Sequence, residues 1–224
     1  MIKLVAFDWN GTLLADAQAV CDGCNHFISA MGVKPITLRI YREKFVVPVI
    51  DFYESIGLSR KKVLKNAKMN AQIFHKYYEL RASTIRSRAN TGTILKWLYQ
   101  QNILTVIFSN HITRRIEEQL ERLKIAKYID GVIANNELDE ALKGRNKGEK
   151  LISFAKTNDL NAKEILIVGD SSEEIEIAKE FGSISVAITH GHYSTKRLKA
   201  AKPDYLIGDL GNLINIIRNI NTTF

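Results

Sequence analysis

The stretch Ile2-Lys3-Leu4-Val5-Ala6-Phe7-Asp8-Trp9-Asn10-Gly11-Thr12 decides how the rest of the chain is read. Its first six residues are almost wholly apolar, as in a strand buried on both faces of a parallel sheet, and the run stops at an acid, an amide and a glycine that permits a tight turn. Ligands of open α/β sheets bind outside the carboxyl ends of the strands, so the polar residues closing this strand are the first candidates for chemistry. The same texture returns after Thr91-Gly92, where helices and strands alternate. Strands are expected at Leu104 to Phe108, Gly131 to Ala134, Ile165 to Val168, Ile184 to Ile188 and Tyr205 to Ile207. Between them, Ile112, Ile116, Leu120 and Leu123 mark the apolar face of one helix, and Leu151, Phe154 and Ala155 that of another. The fold class that follows is α/β, a doubly wound parallel sheet with a Rossmann-like core.

From about Ala15 to Arg88 no strand pattern competes with helix. Apolar residues recur at helical spacing through Val63-Leu64-Ala67 and Ile73-Phe74-Tyr77-Tyr78. The expected organisation is therefore a core of residues 1–14 and 89–224 with a helical insertion at 15–88. A chain of 224 residues is long enough for that and short of two full domains. The insertion also holds the charge. The chain carries a formal +8; the insertion has 13 Lys and Arg against 6 Asp and Glu, and the remainder 19 against 18. Its densest run is Ser59-Arg60-Lys61-Lys62 to Lys68. No recognised nucleic-acid-binding module accompanies it, so nucleic acid is not the expected partner; a solvated helix face or a field drawing small anions toward a cleft is.

No apolar run approaches the roughly 20 residues needed to span a bilayer, and Asp8 comes too early for a signal peptide, so no membrane role and a cytoplasmic location are expected. Cys21 and Cys24 lack the second ligand pair of a zinc site and are read as reduced thiols on a helix.

Three strands end in polar groups: Asp8-Trp9-Asn10-Gly11-Thr12, then Ser109-Asn110-His111, then Gly169-Asp170-Ser171-Ser172-Glu173-Glu174. Lys147 opens the helix before the last of these. Two carboxylates at strand ends, with a lysine and a hydroxyl near them, suit Mg2+ and a phosphoryl group, since Mg2+ takes hard oxygens and Lys is a point-charge phosphate binder. A carboxylate can also attack phosphorus. Glu174 has two readings, metal support or the capping box Ser171-x-x-Glu174. His111 is expected at the surface or at a helix start, and Trp9 beside the site or against the insertion.

These motifs, in this order, resemble those of the haloacid dehalogenase-like superfamily. Asp8-Trp9-Asn10-Gly11-Thr12 approaches its first motif, Ser109 matches the second, Lys147 the third, and Gly169-Asp170 with Glu174 the fourth. Gly191 and Pro203-Asp204 look like the family's C-terminal segment. The insertion, with Arg42-Glu43-Lys44-Phe45 through Pro48 to Tyr53 and Gly57, resembles the cap of phosphoglycolate phosphatase-like members. The resemblance implies a Mg2+-dependent phosphatase acting on a small phosphorylated metabolite. Asp8 would be the nucleophile, and Asn10, Ser109 and Lys147 the other catalytic positions. Gly11, Thr12, Asn110 and Arg42 would join Ser109 and Lys147 in binding substrate, and Asp8, Asn10, Asp170 and Glu174 would serve the metal.

Asn10 departs from the family's pattern. Phosphatases of this kind carry there a second Asp that protonates the leaving oxygen and then activates water, which a carboxamide cannot do. Three alternatives stay open. The chain is a phosphatase slowed by about 10² to 10⁴-fold or using a substitute group; it runs phosphonate hydrolase or dehalogenase chemistry, with Lys44 the one cap lysine to nominate; or it is a low-activity binding protein.

Overall fold

The computed structural model describes residues 1–222. Six strands, β1 (Leu4–Phe7), β2 (Leu104–Ile112), β3 (Gly131–Asn135), β4 (Ile165–Gly169), β5 (Ile184–Ile188) and β6 (Tyr205–Ile207), form one parallel sheet in the order β3-β2-β1-β4-β5-β6. The first strand lies in the middle, so its neighbours β2 and β4 carry their own carboxyl ends to the same edge as its own. The order reverses direction at β1, and this is where crossover connections leave a crevice.

Alternation along β1 builds two layers. Val5 and Phe7 pack with Ile94 and Leu98 of helix α6 (Thr91–Gln100), while Leu4 and Ala6 face Leu151 and Ala155 of helix α9 (Lys147–Thr157). All four strand residues are fully buried, which explains why the run shows no polar position. Between β1 and α6 stand α1 (Ala17–Ala30), α2 (Leu38–Lys44), α3 (Val49–Ser55), α4 (Arg60–Lys65) and α5 (Ala67–Ala82), with a separate core that includes Phe27, Ile28, Tyr41, Phe52, Val63 and Tyr78. The chain leaves and returns through paired segments: Arg88 N–H donates to Leu13 O at 2.8 Å and Ala15 N–H to Arg86 O at 3.2 Å. The remaining helices are α7 (Thr113–Arg122), α8 (Glu140–Lys143), α10 (Ser172–Phe181), α11 (Thr195–Ala200) and α12 (Asn212–Thr222). Among the described residues no helix is long and apolar enough to cross a membrane.

Two local expectations are corrected. Ile112 is the last residue of β2 rather than the first of a helical face, because the strand continues past an irregularity after Phe108 and pairs Ile112 with Asn135. His111 is consequently a buried strand residue, not a surface one. Cys21 and Cys24 are free, buried thiols on α1; burial pushes the Cys21 thiol up to about 11 and Cys24 higher still. Trp9 packs in the core, where its indole N–H donates to Gln119 Oε1 on α7 at 2.6 Å. That bond ties the turn after β1 to α7. Replacing Trp9 with Phe should leave a buried amide oxygen without its donor and cost about 1–3 kcal/mol in urea unfolding; an unchanged midpoint would remove the bond from the account of that turn.

Candidate active site

The strand ends converge on one ammonium. Lys147, the first residue of α9, is almost fully buried and its Nζ lies 3.2 Å from Asp8 Oδ1 and 3.5 Å from Glu173 Oε2, and donates to Glu174 Oε1. Asp8 is set by the sheet itself, its N–H donating to Val168 O at 2.9 Å. Asn110, at the end of β2, donates to Glu173 Oε2 at 2.7 Å, and Ser109 is buried beside it with Oγ accepting from His111 N–H at 3.2 Å.

Asp170 follows β4 and is held on both oxygens. Thr12 Oγ1 donates to Oδ1 at 3.0 Å, and the backbone N–H of His192 donates to Oδ2. The fit is so close that a Cβ at Gly11 or Gly191 would overlap the Asp170 carboxylate, and Gly11 also takes φ +73°, where a side chain is strained. Glu174 forms the expected capping box, its Oε2 accepting from Ser171 N–H at 2.9 Å and Ser171 Oγ at 2.7 Å, while its Oε1 accepts from Lys147, a partner the spacing did not announce.

These groups titrate as a cluster. Burial pushes the Asp8 carboxyl well above the usual range and Glu174 and Asp170 add to the shift, against Lys147 and His192. Asp170 is raised by burial and by Glu174. Glu174 stays low because Lys147 and the Ser171 hydrogen bonds outweigh its burial, and Lys147 stays raised because three carboxylates outweigh its own. Asp8 and Asp170 thus face one cavity as oxygen donors whose charges repel, a donor set that fits a hard divalent cation.

Beside them is a second cluster that the sequence did not announce. Asn10 Nδ2 donates to Asp16 Oδ2 at 2.6 Å and to Tyr78 OH at 2.8 Å, and Tyr78 OH donates to the same Asp16 oxygen at 2.7 Å. Gly11 N–H takes the other oxygen, Oδ1, at 2.7 Å. His192 Nε2 lies 3.6 Å from Asp16 Oδ1 and its Nδ1 is 2.8 Å from Tyr41 OH. Burial disfavours a charge on His192, yet Asp170 and Asp16 prevail and hold its pKa raised.

Asp8, Asn10, Ser109, Asn110, Lys147, Asp170 and Glu174 all line a cavity of about 150 Å³ between the sheet edge and the inserted helices. Three expected positions do not. Arg42 spends its guanidinium on the carbonyls of Gly191 and His190, both at 2.9 Å; Thr12 is committed to Asp170, and the Gly11 N–H to Asp16. His192, Glu173 and Tyr78 line the cavity without having been singled out. The signal for His192 was its place just beyond β5; Glu173 and Tyr78 gave none that separated them from neighbouring helix residues.

Comparison with known proteins bears on the family and the fold. A family model described as haloacid dehalogenase-like hydrolase matches residues 5–188. A phosphoglycolate phosphatase of Vibrio cholerae is 25% identical over 96% of this chain and 97% of its own length. A structure described as a predicted phosphatase from Clostridium acetobutylicum superposes with TM-score 0.82 at 18% identity, covering 98% of this chain and 99% of that one. A haloacid dehalogenase-like family hydrolase from Streptococcus pneumoniae does so with TM-score 0.80 at 20% identity, covering 96% and 98%.

Lys147→Met should leave Asp8 and Glu174 buried without their cation, and Glu173 with Arg145 alone, and cost about 3–5 kcal/mol in denaturant unfolding at neutral pH. The deficit should narrow as pH falls, because carboxyls raised in the folded state bind protons there before the unfolded chain does. A deficit that does not change with pH would contradict the electrostatic account.

Proposed function

The chain belongs to the haloacid dehalogenase-like hydrolases, and on that basis we propose that it hydrolyses a small phosphate monoester with Asp8 as the nucleophile. The observation that carries the reading is the Asp8 carboxylate held 3.2 Å from a buried lysine in a cavity it shares with Ser109 and Asp170. An Asp8 oxygen attacks phosphorus and the alkoxide departs, leaving an acyl phosphate on Asp8 that water then cleaves. Lys147 and the Ser109 hydroxyl hold phosphoryl oxygens and offset their growing charge. Mg2+ would be held by the carboxylates of Asp8 and Asp170 with the Asn10 backbone carbonyl, and would neutralise charge on the transferred group. Glu174, bonded to Ser171 and facing Lys147, positions that lysine.

The organisation that serves this reaction is a core of residues 1–14 and 89–224 with residues 15–88 as a cap that excludes water. The cap wall offers mostly apolar groups, among them Phe27, Phe45, Tyr53 and Phe74, with Asn70 and His75 as polar exceptions. A substrate of few heavy atoms fits, and phosphoglycolate, named by the Vibrio relative, is the first to assay. Phosphonate hydrolase chemistry loses its cap amine, since Lys44 Nζ donates to Ser55 O at 2.7 Å and does not line the cavity.

Asp8→Asn should abolish turnover of phosphoglycolate and of p-nitrophenyl phosphate with the circular dichroism spectrum unchanged, and chelator should stop the wild type until Mg2+ is restored. Retained activity in Asp8→Asn would overturn the assignment, and indifference to chelator would favour dehalogenase chemistry.

A separate measurement concerns Asn10. An Asp at this position would sit against the Asp16 carboxylate, so one of the pair must hold a proton, which is the form that donates to a leaving oxygen. Asn10→Asp should therefore raise turnover of an alkyl phosphate by about 10-fold or more, with a smaller gain on p-nitrophenyl phosphate, whose leaving group needs no proton. A wild type that cleaves the alkyl ester faster than the variant would show that another group, His192 being the buried candidate, already supplies the proton.

A further inference from the structure

Beside the cavity, three side chains converge with no part in the reaction above. His75 and Glu79 stand one helical turn apart on α5, in the insertion, and His111 comes from the end of β2, in the core. His75 Nδ1 is 3.6 Å and His111 Nε2 is 3.4 Å from the same oxygen, Glu79 Oε1. Each of these three atoms is buried, and none has a hydrogen-bond partner among the described residues. Buried polar atoms are nearly always partnered, so three orphans aimed at one another need an explanation. The imidazoles lie parallel, 5.8 Å between centroids, and the Tyr78 ring stands edge-on to His111, which fixes that ring's direction.

We propose that His75, Glu79 and His111 form a transition-metal site, best suited to Zn2+, that joins the inserted helix α5 to the end of β2. Tetrahedral Zn2+ with bonds of about 2.0–2.2 Å sets its ligand atoms about 3.3–3.6 Å apart, which the two separations to Glu79 match. Two imidazoles and a carboxylate are the protein ligands of a zinc site that keeps a fourth position for water, and imidazole nitrogen disfavours Mg2+ relative to Zn2+ or Co2+. All three ligand atoms lie within 4.8 Å of one another, and His75 and His111 line the cavity, which gives an ion its path in. Burial holds His111 down to about 4, so its ring is neutral and ready to coordinate at physiological pH. Arg115 of α7, whose charge reaches His111, is paired at 2.8 Å with Glu118. Because the ligands come from the insertion and from the core, a bound ion resists their separation. The site is independent of the Mg2+ reading, which uses other residues and other donor atoms.

The test is Co2+ binding to the metal-stripped full-length protein in excess Mg2+, followed by visible absorption and by thermal unfolding. One Co2+ per chain with the intense bands of a tetrahedral ion, displaced by Zn2+, is expected, together with a higher Tm in the presence of Zn2+. Glu79→Gln and His75→Gln, the latter on a partly exposed helix position, should each weaken Co2+ affinity by about 100-fold or more with the circular dichroism spectrum unchanged. Asp170→Asn should keep the bands. Bands lost in Asp170→Asn but kept in His75→Gln would place the ion at the other site, and a featureless spectrum with unchanged Tm would reduce the cluster to a polar contact; either result overturns the proposal.

Discussion

Lys147 is an ammonium removed from water, and an ion so placed costs several kcal/mol unless its counter-charges are fixed where it sits. Asp8, Glu173 and Glu174 supply them, and the requirement propagates outward through the packing. Helix α9 must start within reach of β1, and Gly148 allows this, since a Cβ there would press on Ile177 of α10. Helix α10 must start so that Glu174 folds back over the end of β4, and Gly169 allows that, since a Cβ there would overlap the Glu174 side chain. Two glycines that do nothing chemical are therefore what bring the chemical groups together.

Much of this was readable in the sequence because strand ends in a parallel sheet are forced to one edge. Once Ile2 to Phe7 was a buried strand, Asp8, Ser109 and Asp170 shared one edge, and the placement of β2 and β4 on either side of β1 brings them together. Readings failed where the deciding contact comes from a distant segment. Nothing local to Arg42 reveals that its guanidinium will cap the carbonyls of His190 and Gly191. Glu174 was ambiguous because metal support and a capping box call for a carboxylate at the same spacing; the capping box forms, and the free oxygen turns to Lys147 from a distant helix. His111 was misplaced because a polar Ser-Asn-His run after an apolar strand reads as a turn, and only the second stretch of pairing with β3 carries the strand on through it.

One place where the inserted helices lean on the core is the loop after β5. Arg42 reaches the carbonyls of His190 and Gly191, Arg197 Nη1 donates to the carbonyls of Arg42 and Phe45, both at 2.9 Å, and Tyr41 OH meets His192 Nδ1. The same loop donates the His192 N–H to Asp170. A shift of the insertion that drew on Arg42 or Tyr41 would thus be felt at the carboxylate proposed to hold the metal, through two bonds rather than a long relay. Beside these polar bonds, Phe45 and Val46 pack against the apolar cluster of Ile175, Ala187, Tyr193 and Leu198, so the contact is apolar as well as polar.

The amide at position 10 makes physical sense in this setting even though it removes an acid. Asp16 is buried, and its carboxylate is held below the usual range, against its burial, by the nearby His192 and by hydrogen bonds from Asn10 and Tyr78. Its oxygens also accept from the Gly11 N–H, so Asp16 is the acceptor on which the turn after β1 closes. A neighbour at position 10 that donates a hydrogen bond without carrying charge lets Asp16 stay ionised, while an aspartate there would have to take up a proton or repel it. The turn and the acid–base group make opposite demands on one side chain. In this chain the demand met is the one that fixes Gly11, and through Gly11 the close packing against Asp170 on which the rest of the site is built.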